Sequence, residues 1–326
     1  MQDFVHLHVH TQYSILDGQA SIPRLVDKAM ANGMRGIAVT DHGDMFGIKE
    51  FFNYVNKKNG GTNGEIKDLK KKIAALESGK EESENPEAEI AACKEQLEAA
   101  KKKLFKPIFG CEMYVARRRL EDKEGKPDQS GYHLVVLAKN LKGYHNLIKL
   151  VSKAWTKGFY MRPRTDRAEL EKYHEGLIVC SACLGGEVPR RITAEEAIRW
   201  YKNLFGDDYY LELQRHKATV ARANHEVYPM QQVVNEKLIE YAKKYNIKLV
   251  CTNDVHFVDE ENAEAHDRLI CLSTGKDLDD PNRMLYTKQE WMKTREEMNE
   301  VFADVPEALS NTVEICDKVE FYSIDH

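Results

Sequence analysis

The N-terminal segment Val5-His6-Leu7-His8-Val9-His10 constrains this chain more than any other part of it. Histidine recurs at every second residue, interleaved with Val5, Leu7 and Val9. In a strand that period of two sends the imidazoles to one face and the aliphatic side chains to the other. Imidazoles crowded on one face make little sense as core packing. Neutral imidazole is the commonest protein metal ligand, and two at adjacent same-face positions can share one cation. Thr40-Asp41-His42-Gly43 closes the next apolar run with a carboxylate and another imidazole, and Asp17 lies between the two motifs. The expectation is a multinuclear metal site built on strand ends.

Strand-like apolar runs at 4–10, 35–40, 107–115, 133–138, 176–181, 209–214 and 248–252 alternate with helix-like stretches. In the first of these, Ser21 can cap, Pro23 suits the first turn, Ile22, Leu25, Val26, Ala29 and Met30 form the apolar stripe, and Gly33 can close. Later helices are expected at 143–155, 193–204 and 222–245. Such βα repeats imply parallel strands covered by helices. Polar candidates follow strand ends throughout, which favours a barrel over an open sheet. Residues 57–105 break the pattern. They are rich in Lys, Glu and Ala, with apolar residues stepping by three and four through Ile66, Leu69, Ile73 and Leu76, and again through Ile90, Cys93, Leu97, Ala100 and Leu104. With a turn at 79–85 and the cap-like Asn85-Pro86, they read as an antiparallel helical hairpin inserted in a βα loop.

The 326 residues are 42% hydrophobic, enough for one large domain or two. A net charge of -5 advertises no global basic field for nucleic acid. The 7 cysteines are odd in number and scattered, so they read as reduced thiols in a cytoplasmic protein. No signal peptide precedes the histidine segment and no apolar run approaches a membrane span, so no membrane partner is expected.

Further ligand types follow later strands. They are Glu112, His133, Cys183 in Ser181-Ala182-Cys183-Leu184-Gly185, and Asp254 and His256, again two apart. Thiolate, imidazole and carboxylate together suit zinc or manganese better than magnesium or calcium. Neighbouring divalent ions suit phosphoester hydrolysis by metal-activated water. Cys180 and Cys183 form a C-x-x-C without a second one, and Cys180 lies in the apolar Leu177-Ile178-Val179 run as packed core. His145, His174, His216 and His225 read as surface or core residues. His133 begins its strand, the poorest fit to a site gathered at C-terminal strand ends.

These motifs together resemble the polymerase and histidinol phosphatase (PHP) domain at the N-terminus of bacterial replicative DNA polymerase III alpha subunits. The carrying segments are Phe4 to Thr11, Tyr13 to Gly18, Thr40 to Gly43, Phe46-Gly47, Lys106 to Glu112, Gly158-Phe159-Tyr160, Ser181 to Glu187 and Thr252 to Phe257. The resemblance covers the chain except 57–105. It implies a distorted seven-stranded β/α barrel formed by 1–56 and 106–285, with 286–326 leading toward polymerase domains. It also implies up to three metal ions. His8, His10, Glu112 and Asp254 would hold one and form the catalytic set. Glu112, His133 and Cys183 would hold a second, and Asp17, His42 and His256 a third. Arg162 and Arg164 are candidates for phosphate contacts.

The activity so implied is metal-dependent 3′–5′ exonucleolytic proofreading of a single-stranded DNA 3′ end, within a DNA-directed DNA polymerase, a nucleotidyltransferase. No Asp-x-Asp pair occurs in a strand context and the chain ends at His326 after helix-like 307–318, so polymerisation is expected to lie in further domains of a longer chain. Other replisome subunits are possible partners. A structural module is the competing class: metals would stabilise a scaffold that supports the polymerase core or docks a separate exonuclease. A stand-alone small-molecule phosphatase is a third reading, against which the polymerase-type motifs argue.

Overall fold

The computed structural model describes residues 1–80, 83–191 and 194–325. Part of the expected 79–85 turn and the first residue of the expected 193–204 helix lie outside the described residues. Among the described residues, eight strands form one sheet: β1 (Gly36–Val39), β2 (Lys106–Val115), β3 (Tyr132–Ala138), β4 (Phe159–Tyr160), β5 (Arg162–Thr165), β6 (Leu177–Cys180), β7 (Tyr209–Leu213) and β8 (Lys248–Cys251). The order is β4-β5-β2-β3-β6-β7-β8, with β1 also on β2. Helices surround this mixed, curled sheet, giving an α/β half-barrel.

Two expectations need correction. The strands are not all parallel, since β3 runs antiparallel to both β2 and β6. The link from β2 to β3 contains only the one-turn helix Gly125–Asp128. Nothing there carries the chain back across the sheet to start a parallel strand, so β3 returns directly. Residues 4–10 are also not a regular strand. They run extended between the margins of the sheet and divide their hydrogen bonds between both sides. The Ala38 and Thr40 N–H groups donate to His6 O and Val9 O (both 2.9 Å), while His10 N–H donates to Val255 O (2.7 Å) and Val255 N–H to His8 O (3.1 Å). The curled sheet thereby meets itself through the histidine segment.

Apolar residues fill both faces. The inner cluster includes Leu7, Ala38, Ile108, Val135, Leu137, Ile178 and Val250. The larger outer cluster lies between sheet and helices, and takes in Leu25 and Val26 of the Ile22–Ala31 helix and Leu147 and Leu150 of the Leu141–Thr156 helix. Each fully buried aliphatic side chain contributes about 1.5–3 kcal/mol. The C-terminal helix Pro306–Lys318 belongs to this core. Ile315 and Cys316 join the inner cluster, and Thr312 Oγ1 accepts the Val5 N–H (3.0 Å).

Residues 60–102 supply two helices, Gly60–Glu77 and Pro86–Lys102. They pack through Ile66, Ile73, Cys93, Leu97 and Ala100. Glu65 pairs with Lys103 (3.8 Å) and Glu77 with Lys94 (3.0 Å), so the helices run in opposite directions. Asn59 ties both ends of this arm together: its amide donates to Phe105 O (2.8 Å) and its carbonyl accepts the Phe105 N–H (3.0 Å). No described helix is long and apolar enough to cross a membrane.

Candidate metal centre

Glu112 sits near the middle of β2, buried, where the loop after β1 crosses it. The Glu112 N–H donates to Asp41 O (3.0 Å) and Gly43 N–H donates to Glu112 O (2.9 Å). Gly43 adopts φ +67°, and a Cβ there would stand 2.7 Å from Pro163, so only glycine lets this loop turn against β5. The antiparallel course of β3 puts its first residues at the same edge as the C-terminal ends of its neighbours. His133 therefore faces Glu112 although it begins its strand. The loop after β6 lies across that point, with the His133 N–H on Gly185 O (3.0 Å). A Cβ on Gly185 would press to 2.9 Å from the His133 ring.

Glu112 is the hub. One carboxylate oxygen lies 2.9 Å from His133 Nδ1, 3.3 Å from His8 Nε2 and 3.7 Å from Cys183 Sγ. The other lies 2.8 Å from His42 Nδ1 and 3.3 Å from His10 Nε2. Asp254 Oδ1 is 3.3 Å from His8 Nε2 and 3.2 Å from His10 Nε2. Asp17 Oδ2 is 2.9 Å from His42 Nε2 and 3.3 Å from His256 Nε2. Cys183 Sγ also lies 3.5 Å from His133 Nδ1. His8, His10, Asp17, His42, Glu112, His133, Cys183, Asp254 and His256 thus meet in one cluster. Three triads within it bring ligand atoms within 4.8 Å of one another: His8–His10–Asp254, His10–His42–His256 and His42–Glu112–His133.

The proton arrangement is the more telling feature. His8 Nδ1–H donates to Glu212 (2.7 Å) and His256 Nδ1–H donates to Asp254 O (2.7 Å). His10 Nδ1–H donates to Ser14 Oγ (2.9 Å), whose own proton is committed to Asp41 (2.7 Å). In its neutral form each ring is thereby fixed in the tautomer that leaves Nε2 as a lone pair. Those Nε2 atoms, with Glu112 Oε2 and Asp254 Oδ1, are buried without a hydrogen-bond partner. Buried polar atoms are normally satisfied. A converging set of unsatisfied lone pairs suits a cation. Asp254 also holds φ +46°, a strained conformation for a side-chain-bearing residue, at the point where its carboxylate reaches both histidines.

Charges within the cluster dominate its protonation. Burial disfavours charge on His8, but Asp254, Glu212 and Glu112 outweigh it and hold its pKa well above 6.5. Burial likewise opposes charge on His42 and His256. Glu112 raises His42 well above the ordinary value, and Asp17 raises His256 to about 9. In return the histidines hold Asp17, Glu112 and Asp254 below the usual carboxylate range, against their own burial. Burial, then Glu112 and Asp254, pushes the Cys183 thiol well up.

Other sequence-derived candidates fall elsewhere. His6 does not join the cluster; its Nε2 meets Lys293 O at 2.8 Å, and burial lowers its pKa to about 4. Arg164 is no phosphate contact. It is 0% exposed, and its guanidinium donates to the carbonyls of Gly158 (3.0 Å), Leu120 (3.0 Å) and Asp122 (2.9 Å). Arg162 lies two residues earlier on the same face of β5, but at the start of the strand, where it stays exposed beside Tyr114. Cys180 lies in the inner core, and His145, His174 and His225 are exposed away from the cluster. His216 is buried, its Nε2–H on Asn253 O (3.0 Å).

Sequence reasoning missed the supporting layer. Glu212 is a lone carboxylate inside the apolar strand Tyr209–Leu213, a signal that was visible. Ser14 and Tyr286, whose O–H donates to Asp17 (2.7 Å), carried no such signal.

Comparison with known proteins places residues 6–216 in a match to the family described as the PHP domain. Curated relatives named DNA polymerase III subunit alpha match nearly the whole chain. That of Borreliella burgdorferi is 39% identical over 98% of this chain and 24% of its own length. Those of Treponema pallidum and Thermus aquaticus are 37% and 35% identical, over 97% and 96% of this chain and 23% and 22% of theirs. The chain therefore spans about a quarter of the length of these relatives. An amidohydrolase structure from Chromobacterium violaceum aligns at TM-score 0.35 and 11% identity, covering 78% of this chain and 87% of that one, too low to bear on fold or chemistry.

Proposed function

This chain belongs to the PHP domain family, and from that premise we propose that it is the N-terminal PHP domain of a bacterial DNA polymerase III alpha subunit, acting as a divalent-metal-dependent phosphodiesterase that trims the 3′ end of single-stranded DNA. The observation that carries this is the set of buried, unpartnered lone pairs from His8, His10, His256, Glu112 and Asp254 converging on one centre. We assign His8, His10, Glu112 and Asp254 to one ion, Glu112, His133 and Cys183 to a second, and Asp17, His42 and His256 to a third. The donor set, imidazole and carboxylate with one thiol, suits zinc or manganese. When bound, such ions supply Lewis acidity and an activated water for phosphodiester hydrolysis.

The remaining work falls to the chain itself. Glu212, Ser14 and Asp254 O orient the imidazoles. Tyr286 holds Asp17. Arg162, exposed on the same groove as Asp17 and His42, is placed to meet a phosphate. The rest of a longer polymerase chain would supply nucleotidyl transfer and grip on the duplex, in the cytoplasm. We read 1–56 and 106–285 as the barrel, 57–105 as an inserted helical arm, and 286–326 as the segment leading to that remainder.

The test is hydrolysis of a 5′-labelled single-stranded oligonucleotide by metal-reconstituted protein, beside the Asp254→Ala variant and a metal-free sample. Stepwise shortening from the 3′ end by wild type with metal alone is expected. Absence of shortening with metal stoichiometrically bound would refute the assignment and leave a metal-stabilised scaffold.

A further inference from the structure

The groove that opens on Asp17, His42 and His133 has a volume of about 740 Å³, and its wall also carries Phe46, Trp155 and Phe159. These large apolar rings are 55%, 41% and 45% exposed. An exposed cluster of this kind marks a contact surface. Trp155 and Phe159 are nearly parallel, 22° apart with centroids at 5.6 Å, and Phe46 lies 5.9 Å from Trp155. The Trp155 ring is not free to wander. The Trp155 indole N–H donates to Gly43 O (2.8 Å), one residue beyond His42, so the platform is pinned to the loop that carries a candidate ligand.

The rim adds a second, independent mark. Leu16 and Met161 line the same groove with exposed side chains and φ of +62° and +63°. Left-handed backbone is sterically unfavourable for such residues and free for glycine. Long side chains held there, on the lining of one groove, indicate a constrained functional edge. On the same groove the Arg162 guanidinium stands 5.9 Å from the Tyr114 ring centroid. One groove thus combines exposed aromatic faces, one of them tethered, a guanidinium and the metal-ligand cluster.

We propose that this groove is a single-strand subsite in which Trp155 and Phe159 stack against bases at the 3′ end of a DNA strand while Arg162 meets a backbone phosphate. The choice of ligand rests on the phosphodiesterase reading above. Stacking accepts any base, because every base has a π face, and it needs bases not already stacked in a duplex. Such a subsite would deliver the last phosphodiester to the cluster without selecting sequence, and would favour frayed ends over paired ones.

The test uses binding, not cleavage. A short single-stranded oligonucleotide carries 2-aminopurine near its 3′ end and a phosphorothioate in the terminal linkage. It is titrated with the Mn2+-loaded 326-residue chain, and fluorescence quenching and anisotropy are read together. Quenching of the probe is expected, with Kd weakened about 5- to 150-fold by Trp155→Ala and by Phe159→Ala, the range for loss of one base–aromatic stack. Phe159→Leu keeps the apolar area but not the ring, and should bind as weakly as Phe159→Ala. Phe159 makes no hydrogen bond to the Gly43 loop, so its variants guard against a displaced loop in Trp155→Ala. The same probe in a blunt duplex should not quench. Absence of quenching with wild type, or alanine variants within about twofold of it, overturns the proposal. Self-association abolished by Trp155→Ala, without oligonucleotide quenching, overturns it in favour of a protein-covered surface. Quenching without cleavage of an unmodified strand would sink the hydrolytic reading and leave this subsite standing.

Discussion

Glu212→Gln tests the candidate centre without touching a ligand. Glu212 is 2% exposed. One of its oxygens takes the His8 Nδ1–H (2.7 Å), the Gln214 amide (3.1 Å) and the Thr252 hydroxyl, and the other takes the Ala182 N–H (3.1 Å). Every neighbour is a donor, so a carboxylate satisfies them all and an amide cannot. If the Gln oxygen faces His8, its NH2 meets the Ala182 N–H and one buried donor is stranded. If the NH2 faces His8, the ring must flip tautomer, Nε2 gains a proton, and the lone pair aimed at Glu112 and Asp254 disappears.

The first arrangement costs about 1–3 kcal/mol for the stranded donor, and loss of the charged acceptor adds about 1 kcal/mol. Urea denaturation of the metal-free chain should therefore show a loss of about 2–4 kcal/mol at unchanged m-value. Calorimetric titration with Mn2+ should show affinity reduced about 10- to 100-fold, the usual effect of removing a partner that orients a ligand imidazole. Wild-type affinity together with wild-type stability would refute the claim that Glu212 sets the His8 tautomer.

Other outcomes can be checked separately. Mn2+ or Zn2+ at about 100 times Kd should add about 2.7 kcal/mol and raise Tm by roughly 4 °C for a chain this long, with the rise lost in Asp254→Ala; an equal rise in that variant would place the ion elsewhere. In the metal-free chain, the raised pKa values of His8, His42 and His256 stabilise the fold fully below about pH 6.5, and His256 loses its contribution as pH climbs through about 9. The depressed carboxylates Asp17, Glu112 and Asp254 stabilise it above their unfolded values near 4 and lose that contribution in acid, so stability should peak between these limits. Metal affinity should instead rise with pH from 6 toward 9, with protons released on binding; a flat profile in titration calorimetry contradicts protonated imidazoles in the free site. Arg164→Met should cost about 2–5 kcal/mol by stranding the Gly158, Leu120 and Asp122 carbonyls; a neutral result in urea would show that Arg164 is not structural.

The alternation of His6, His8 and His10 announced the chemistry because ligand type and spacing are local properties, readable wherever the backbone is extended. The same holds for the helix seams at Ile66, Ile73, Cys93 and Leu97, which record packing faces directly in their period, whereas Asp254 reaches the cluster through a left-handed backbone that its spacing from His256 did not show. What the sequence could not carry is strand direction. His133 was the worst fit to a site at C-terminal strand ends, and it joins the cluster because β3 runs antiparallel. That reversal depends on pairing with β2 and β6, contacts between segments distant in the chain. His6 and Arg164 fail for a related reason. Alternation says which residues share a face, but only the packed neighbours decide what that face meets: for these two, backbone carbonyls. The sequence by itself determined which atoms can bind a metal. Tertiary structure decided which of their lone pairs are left free, because Glu212, Ser14 and the Asp254 carbonyl take the opposite nitrogens of His8, His10 and His256.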